Sequence, residues 1–278
     1  MTAGAFRSPS YRAASLPSGP YKCASRGPSG GAPGYTASEM KEMTETRWDE
    51  VPGVPVPPTL YKYCPPERID ILHDLKVRFS PPSEFNDTFD SRQLIPSTSG
   101  VQAKQERSKL RNRFGVLCLT EQSDDQLMWV NYAKNHTGFV IGFDARSPFF
   151  DEDGRLLRKV QYQSSPKVLP VPDISGCFYK ASLWQHEREW RCVRVFEESE
   201  ARLVPIDPML ITEIVIGHKM ETWHIAQLAI CVAGQGISRV KFFLSSPSNR
   251  SWRFEQKAIS VSLCEACGGQ GYKIEDRG

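Results

Sequence analysis

Short apolar runs, each halted within a few residues by proline, glycine or an Asn/Asp turn, constrain this chain more than any other feature. The runs TLYKYC at 59–64, KVRFS at 76–80, FGVLCLT at 114–120 and TGFVIGFD at 137–144 read as strands. So do RKVQYQ at 158–163, WRCVRVF at 190–196, ITEIVIG at 211–217 and ISRVKFFL at 237–244. Between them lie segments with helical spacing. PERIDILHDL carries a proline at its first helical position and sets Ile69, Leu72 and Leu75 on one face. DDQLMWVNYAKNH has Asp124 or Asp125 as its cap, and Leu127, Trp129 and Val130 give it two contact surfaces. CFYKASLWQHERE reads as a helix, and METWHIAQLAICVAGQG as a helix closed by glycine. A parallel, doubly wound sheet needs a regular strand–helix rhythm. Here the alternation is irregular, which predicts an α+β domain with a single mixed, mainly antiparallel sheet packed with helices.

The domain is expected over 59–245 of the 278 residues. Residues 1–58 are dense in Ser, Gly, Pro and Ala and cannot bury enough apolar surface to offset the entropy of ordering. They read as a disordered arm and linker, with a helical turn or two within Ser38–Trp48. Gln93–Gly100 reads as flexible and Gln102–Arg113 as helical, and 246–278 as a loosely ordered tail. No run approaches the length of a membrane span. The arm's early basic residues lack an apolar stretch, so it is not a secretory signal and only weakly resembles an organelle transit peptide. Cytoplasmic placement with reduced thiols is the expectation for the eight cysteines. A net charge of +3 is too small to argue for nucleic acid.

No phosphate-binding glycine loop, zinc-protease helix or serine-hydrolase elbow is present. Cys264 and Cys267 form one CxxC pair without a second, so no metal is expected. Three other segments carry candidate chemistry. The loop Phe79–Asp90 gathers Ser80, Ser83, Glu84, Asn86, Asp87 and Asp90 around Phe85 and Phe89, either as an Asx turn or as a pocket wall. Trp129 and Tyr132 share a helix face, as core or as pocket, and His136 caps the end of that helix. If 186–193 is extended, Glu187, Glu189, Arg191 and Val193 point one way, and His186, Arg188, Trp190 and Cys192 the other. On the surface such a row is a solvated ion-pair ladder. In a cleft, one glutamate stabilises a developing cation while Arg191 holds a carboxylate or a substrate anion.

Four stretches together resemble the DUF2971 family of uncharacterised, mainly bacterial proteins. They are LYKY at Leu60–Tyr63, VRFSPPSEFNDTFD at Val77–Asp90, GVLCLTEQSDDQLMWVNYAKNHTGFVIGFD at Gly115–Asp144, and FYKASLWQHEREWR at Phe178–Arg191. The resemblance extends over roughly 59–245, with Thr88 where that family usually has proline. Its layout is loosely similar to that of ADP-ribosyltransferases, in which three sheet-borne elements frame NAD. That likeness implies Tyr61, Lys62 and Tyr63 as the first element, with Lys62 where a His or Arg is usual. Ser80 belongs to the second, and Glu187 or Glu189 is the catalytic carboxylate of the third. It further implies that Tyr63 or Trp129 stacks on the ligand's rings, that Arg78 or Arg191 holds its pyrophosphate, and that Asn86 and Tyr132 line the cleft. The implied function is an ADP-ribosyltransferase or a related NAD-cleaving enzyme acting on an unidentified macromolecular acceptor. The competing reading is a non-catalytic ligand- or protein-binding module with a role in defence or stress response. A metal-dependent nuclease is disfavoured by the lack of a carboxylate cluster with metal spacing.

Overall fold

Strand β1 (Thr59–Cys64) forms where the first apolar run predicts it, and proline at 65 and 66 ends it. In the computed structural model, residues 54–90, 112–166, 174–263 and 272–276 are described. The expected helices within Ser38–Trp48 and Gln102–Arg113, the flexible stretch Gln93–Gly100 and the Cys264/Cys267 pair fall wholly or almost wholly outside those residues.

After β1, a short 3-10 turn at Pro66–Ile69 runs into α1 (Asp70–Asp74), which buries Ile71 and Leu72. Leu75 closes α1 in the left-handed region at φ 49°. Then follow β2 (Lys76–Arg78), β3 (Phe114–Thr120), α2 (Gln126–Tyr132) and β4 (Phe139–Asp144). The expected strand at 158–163 is two, β5 (Leu156–Lys159) and β6 (Gln161–Gln163). The expected helix at 177–189 does not form. A 3-10 segment at Ile174–Phe178 leads into β7 (Tyr179–Ala181), and a second at Ser182–Glu187 leads into β8 (Glu189–Val195). The remaining elements are β9 (Leu203–Pro205), β10 (Ile211–Ile216), α3 (Thr222–Gly234) and β11 (Lys241–Pro247). The tail expected to be loose supplies two more strands, β12 (Phe254–Leu263) and β13 (Tyr272–Asp276).

Nine of these strands form one sheet in the order β13-β12-β11-β10-β4-β1-β3-β8-β5. Every neighbouring pair is antiparallel except β10 and β11, which run parallel with Glu213 opposite Lys241. A parallel pair needs a crossover long enough to bring the chain back, and α3 is that crossover. The architecture is therefore α+β, with a mixed, mostly antiparallel sheet packed against helices.

Alternation along the strands assigns side chains to two layers. Ile141 and Phe143 of β4, Leu117 and Leu119 of β3, and Trp190 and Cys192 of β8 join the core cluster that includes Ile71 and Leu72 of α1 and Leu228 of α3. Val140 and Tyr63 pack on the opposite side with Met128 and Trp129 of α2. Val116 and Val193 lie in a third cluster with Ile174, Cys177 and Phe178. The helix α2 has one buried face rather than two. Met128 and Trp129 are buried, while Leu127 and Val130 are exposed. Asp125 caps it, accepting from the Met128 amide at 2.9 Å. Beyond α2, three successive residues, Lys134, Asn135 and His136, take positive φ of 49°, 54° and 68° and turn the chain back into β4. Gly138 follows, where a Cβ would lie 2.1 Å from the Cys64 carbonyl oxygen. Only glycine lets the two backbones approach this closely.

Candidate functional site

The sheet opens beside β1. Along its length β1 pairs with β4, but it meets β3 at one register position, Tyr61 opposite Thr120. Further along β3, the edge that β1 leaves is taken by Ser80, which bridges to Val116 through backbone bonds of 3.0 and 2.9 Å. Cys118 lies between these two contacts. A cleft of about 250 Å³ forms over this gap. Its walls are β1, the loop 80–90, α2 and the segment that carries β7 and β8.

Of the eleven residues that the likeness to ADP-ribosyltransferases implies, ten line this cleft. They are Tyr61, Lys62 and Tyr63 from β1, and Arg78, Ser80 and Asn86 from the second segment. Tyr132 comes from α2, and Glu187, Glu189 and Arg191 from the last segment. Trp129 is the exception. It is fully buried, donates its indole N–H to the Ser123 carbonyl at 3.0 Å, and meets Tyr63 edge-on at 5.3 Å between ring centroids. Its place is in the core, away from the cleft lining. His136 does not simply cap α2 either. Its ring is buried, stacked between Trp129 and Phe254 and 4.8 Å from that of His218.

A chain of charges forms the cleft floor. Arg191 sits at its centre, 1% exposed. Its Nη1 and Nη2 donate to Asp90 at 2.7 and 2.6 Å, and its Nε and Nη2 donate to Glu189 at 2.8 and 3.0 Å. Its Nη1 also donates to the Cys177 carbonyl at 2.6 Å. These are all five N–H groups that a guanidinium possesses. Arg191 therefore has no donor left for a substrate anion, and the expectation that it holds a pyrophosphate is corrected. Lys180 extends the chain. Its ammonium donates to Glu189 at 3.0 Å and to Glu187, with Asp90 at 4.0 Å. Glu187 is reached from the far side by the Tyr132 hydroxyl, which donates at 2.6 Å.

Local backbone geometry brings the two glutamates together. Glu187 ends the 3-10 turn, and its carbonyl accepts from the Thr120 hydroxyl at 2.7 Å. Arg188 adopts the left-handed region at φ 43° and swings the chain into β8. Glu189 and Arg191 then alternate with Trp190 and Cys192, which enter the core. The amide of Glu189 is fixed by a 2.8 Å bond to the Tyr162 hydroxyl.

Burial alone would raise Glu189, but the adjoining guanidinium and ammonium outweigh it and hold this carboxyl at about 2. For Arg191 and Lys180 burial acts in the opposite sense, and the surrounding carboxylates outweigh it, keeping both firmly protonated. Burial pushes the Tyr132 and Tyr63 phenols well up, and Glu187 adds to the effect on Tyr132, so both remain hydrogen-bond donors at neutral pH. Tyr61 is raised to about 12 by burial and by Glu213, which accepts its hydroxyl at 2.9 Å. The thiol of Cys118 is also raised, first by burial and then by Glu189, which argues against its serving as a thiolate nucleophile.

At the mouth the chemistry changes. Arg78 pairs with Glu84 through one nitrogen, at 2.8 and 2.9 Å, and is exposed. Lys62 stands half-buried at the same opening. These two are the cations placed to meet an anion.

The sequence reading missed Lys180, Trp184 and Cys118 as cleft residues, and it named Asp90 only as part of a loop. Lys180 and Trp184 were hidden by reading their segment as one helix. As a strand followed by a tight turn, it brings the Lys180 ammonium onto both glutamates and the Trp184 ring centroid within 5.1 Å of that ammonium. Among the described residues no group of three or more His, Cys, Asp or Glu is placed to hold a metal ion, and no helix is long and apolar enough to cross a membrane.

The model of a family described as a protein of unknown function (DUF2971) matches residues 128–192. That stretch is narrower than the resemblance over 59–245. It holds Tyr132, Lys180, Glu187, Glu189 and Arg191 but neither β1 nor the loop 80–90. No curated protein and no solved structure matches the chain, and nothing ties this sheet to ADP-ribosyltransferases in particular.

Proposed function

We propose that the cleft binds a nicotinamide dinucleotide and cleaves its N-glycosidic bond, passing the ADP-ribosyl group to an acceptor or to water. One observation carries this reading. Three sequence segments far apart in the chain converge on a single cleft, with ionised, buried carboxylates at its floor and cations at its mouth. Buried charge in a cleft is costly, and such sites concentrate where chemistry is done.

The reaction asks for little beyond what these residues supply. When the bond between ribose C1 and the pyridinium nitrogen breaks, the electron pair leaves with nicotinamide, which becomes neutral. Positive, oxocarbenium-like charge develops on the ribose. A fixed carboxylate in a water-poor site stabilises that charge far better than water does. Glu187 is the group for this role. Glu189 has both oxygens engaged by Arg191 and one also by Lys180, whereas each Glu187 oxygen accepts a single bond and keeps a lone pair for the cleft. Glu189, Arg191 and Asp90 act as positioning residues. Lys62 and Arg78 would meet the pyrophosphate, and Tyr63 and Tyr132 the rings. A cleft of about 250 Å³ encloses one end of a dinucleotide rather than the whole.

The test is nicotinamide release from NAD by the full chain, with and without a cell extract as acceptor. Release that requires acceptor and is lost in Glu187→Gln supports transfer, and release without acceptor indicates hydrolysis. The saturation of Arg191 by internal bonds, with both Glu189 oxygens engaged, favours one alternative, a non-catalytic binding module whose network only shapes the cleft. NAD binding without release, by folded protein, would select that alternative.

A further inference from the structure

Asp90, Glu187 and Glu189 are each engaged as acceptors through both oxygens, the pattern of ionised carboxylates. Against these three stand two cations, Arg191 and Lys180, so the floor carries a net charge of −1. Neither cation offers that floor to an anion. The guanidinium has no N–H unassigned, and the ammonium is surrounded by carboxylates. What the floor still presents is acceptor capacity, centred on Glu187. Flat rings line the same cleft: Tyr132, bonded to Glu187, Trp184, 5.1 Å from the Lys180 ammonium, and Phe85, 5.2 Å from the Arg191 guanidinium.

We infer that the floor of the cleft is a receptor for a flat, positively charged head group, a pyridinium or a similarly delocalised cation. This rests on the proposed function in one respect only: the same cleft would then orient a dinucleotide with its pyridinium inward and its phosphates at Lys62 and Arg78. The receptor stands on charge count and ring geometry, whatever reaction follows. A neutral head group of the same shape leaves the floor's net charge of −1 uncompensated, whereas a cation balances it and gains from the ring faces. Discrimination therefore comes from charge at nearly constant shape.

The experiment is titration calorimetry of the full chain with 1-methylnicotinamide, a pyridinium cation, and nicotinamide, its neutral counterpart. Tetramethylammonium serves as a cation without a ring. The pyridinium should bind at least about tenfold more tightly than nicotinamide and than tetramethylammonium. In Glu187→Gln, which brings the floor to zero charge, the pyridinium preference should collapse to within about twofold. Glu187→Asp, which restores the charge, should recover it. A measurement on the unaltered protein keeps the inference testable should the glutamine variant not fold: raising ionic strength should weaken pyridinium binding and leave nicotinamide binding unchanged. Equal binding of the two nicotinamides, a preference that survives Glu187→Gln, or failure of the pyridinium to bind at millimolar concentration would each overturn it. Tetramethylammonium equal to the pyridinium would refute the requirement for a flat ring. Selective pyridinium binding without turnover of NAD would sink the proposed reaction alone, and turnover without that selectivity would sink the receptor alone.

Discussion

Replacing Arg191 with methionine tests whether the charge chain depends on its central member. The substitution keeps much of the side chain's length but deletes five hydrogen bonds and one charge in a position 1% exposed. Asp90 and Glu189 lose their bidentate partner, and Glu189 keeps only Lys180 as a nearby cation. Removing one partner of a buried ion pair costs about 3–5 kcal/mol, because the remaining charge is left without compensation. At roughly 2–4 °C per kcal/mol for a domain of this size, melting should fall by about 6–20 °C. Part of that loss is recoverable if its cause is the stranded charge. Asp90→Asn in the methionine background should therefore cost far less than Asp90→Asn alone, and a double-mutant cycle should show coupling of about 1.5–3 kcal/mol. Chemical denaturation followed by tryptophan fluorescence measures all four proteins. A methionine variant within about 1 kcal/mol of the parent, or a cycle with additive effects, would refute the account of Arg191 as the keystone of a buried network.

Acid should weaken the fold in two stages. His136 is lowered to about 4, first by burial and then by His218 and Lys219, so its contribution is complete above the ordinary histidine range and is lost as pH falls from about 6.5 through 4. Glu189, held at about 2, contributes fully above the ordinary carboxylate range and loses its share as pH falls from about 4.5 through 2. Each full shift corresponds to at most about 3.5 kcal/mol at about 1.4 kcal/mol per unit. His136→Phe should abolish the upper stage of a stability-versus-pH curve and leave the lower one, and an unchanged upper stage would assign it elsewhere. Gly138→Ala should cost at least about 2 kcal/mol, because the added methyl meets the Cys64 carbonyl, and an ordinary melting temperature would count against that contact. Trp129→Phe should lower stability yet leave NAD affinity unaltered, whereas Tyr132→Phe, which loses the bond to Glu187, should weaken affinity, as read by calorimetry.

Strands flanked by prolines and turns were legible in the sequence because their boundaries are chemically abrupt: β1 and β3 begin and end where the apolar runs do. The segment 177–189 was misread for a physical reason. It holds neither proline nor glycine to break a helix, but the core takes Phe178 and leaves Leu183 exposed, so the chain folds as a strand and tight turns. The last two strands were hidden by polar composition. The edge strand β13 has only one neighbour to pack beside, and β12 next to it mixes Glu255, Gln256, Lys257, Ser260 and Ser262 with its apolar residues. The cleft was legible because its residues sit in short, chemically unusual stretches. The pairing of Asp90 with Arg191 spans 101 positions, and nothing local signals a contact of that range.

The placement of β1 has a consequence for how the chain is made. It is the earliest strand among the described residues, yet it lies in the interior of the sheet, between β4 and β3, and the strands nearest the C-terminus form one border. During synthesis it waits for both neighbours, and Phe114 of β3 must wait in turn for Val195 of β8. Pairings this distant slow folding and leave apolar strands unpaired meanwhile. A nascent chain halted before β8 would thus expose β3 along one side, making it a target for chaperones. One halted after β11 would already hold the charge chain and, of the described strands, lack β12 and β13.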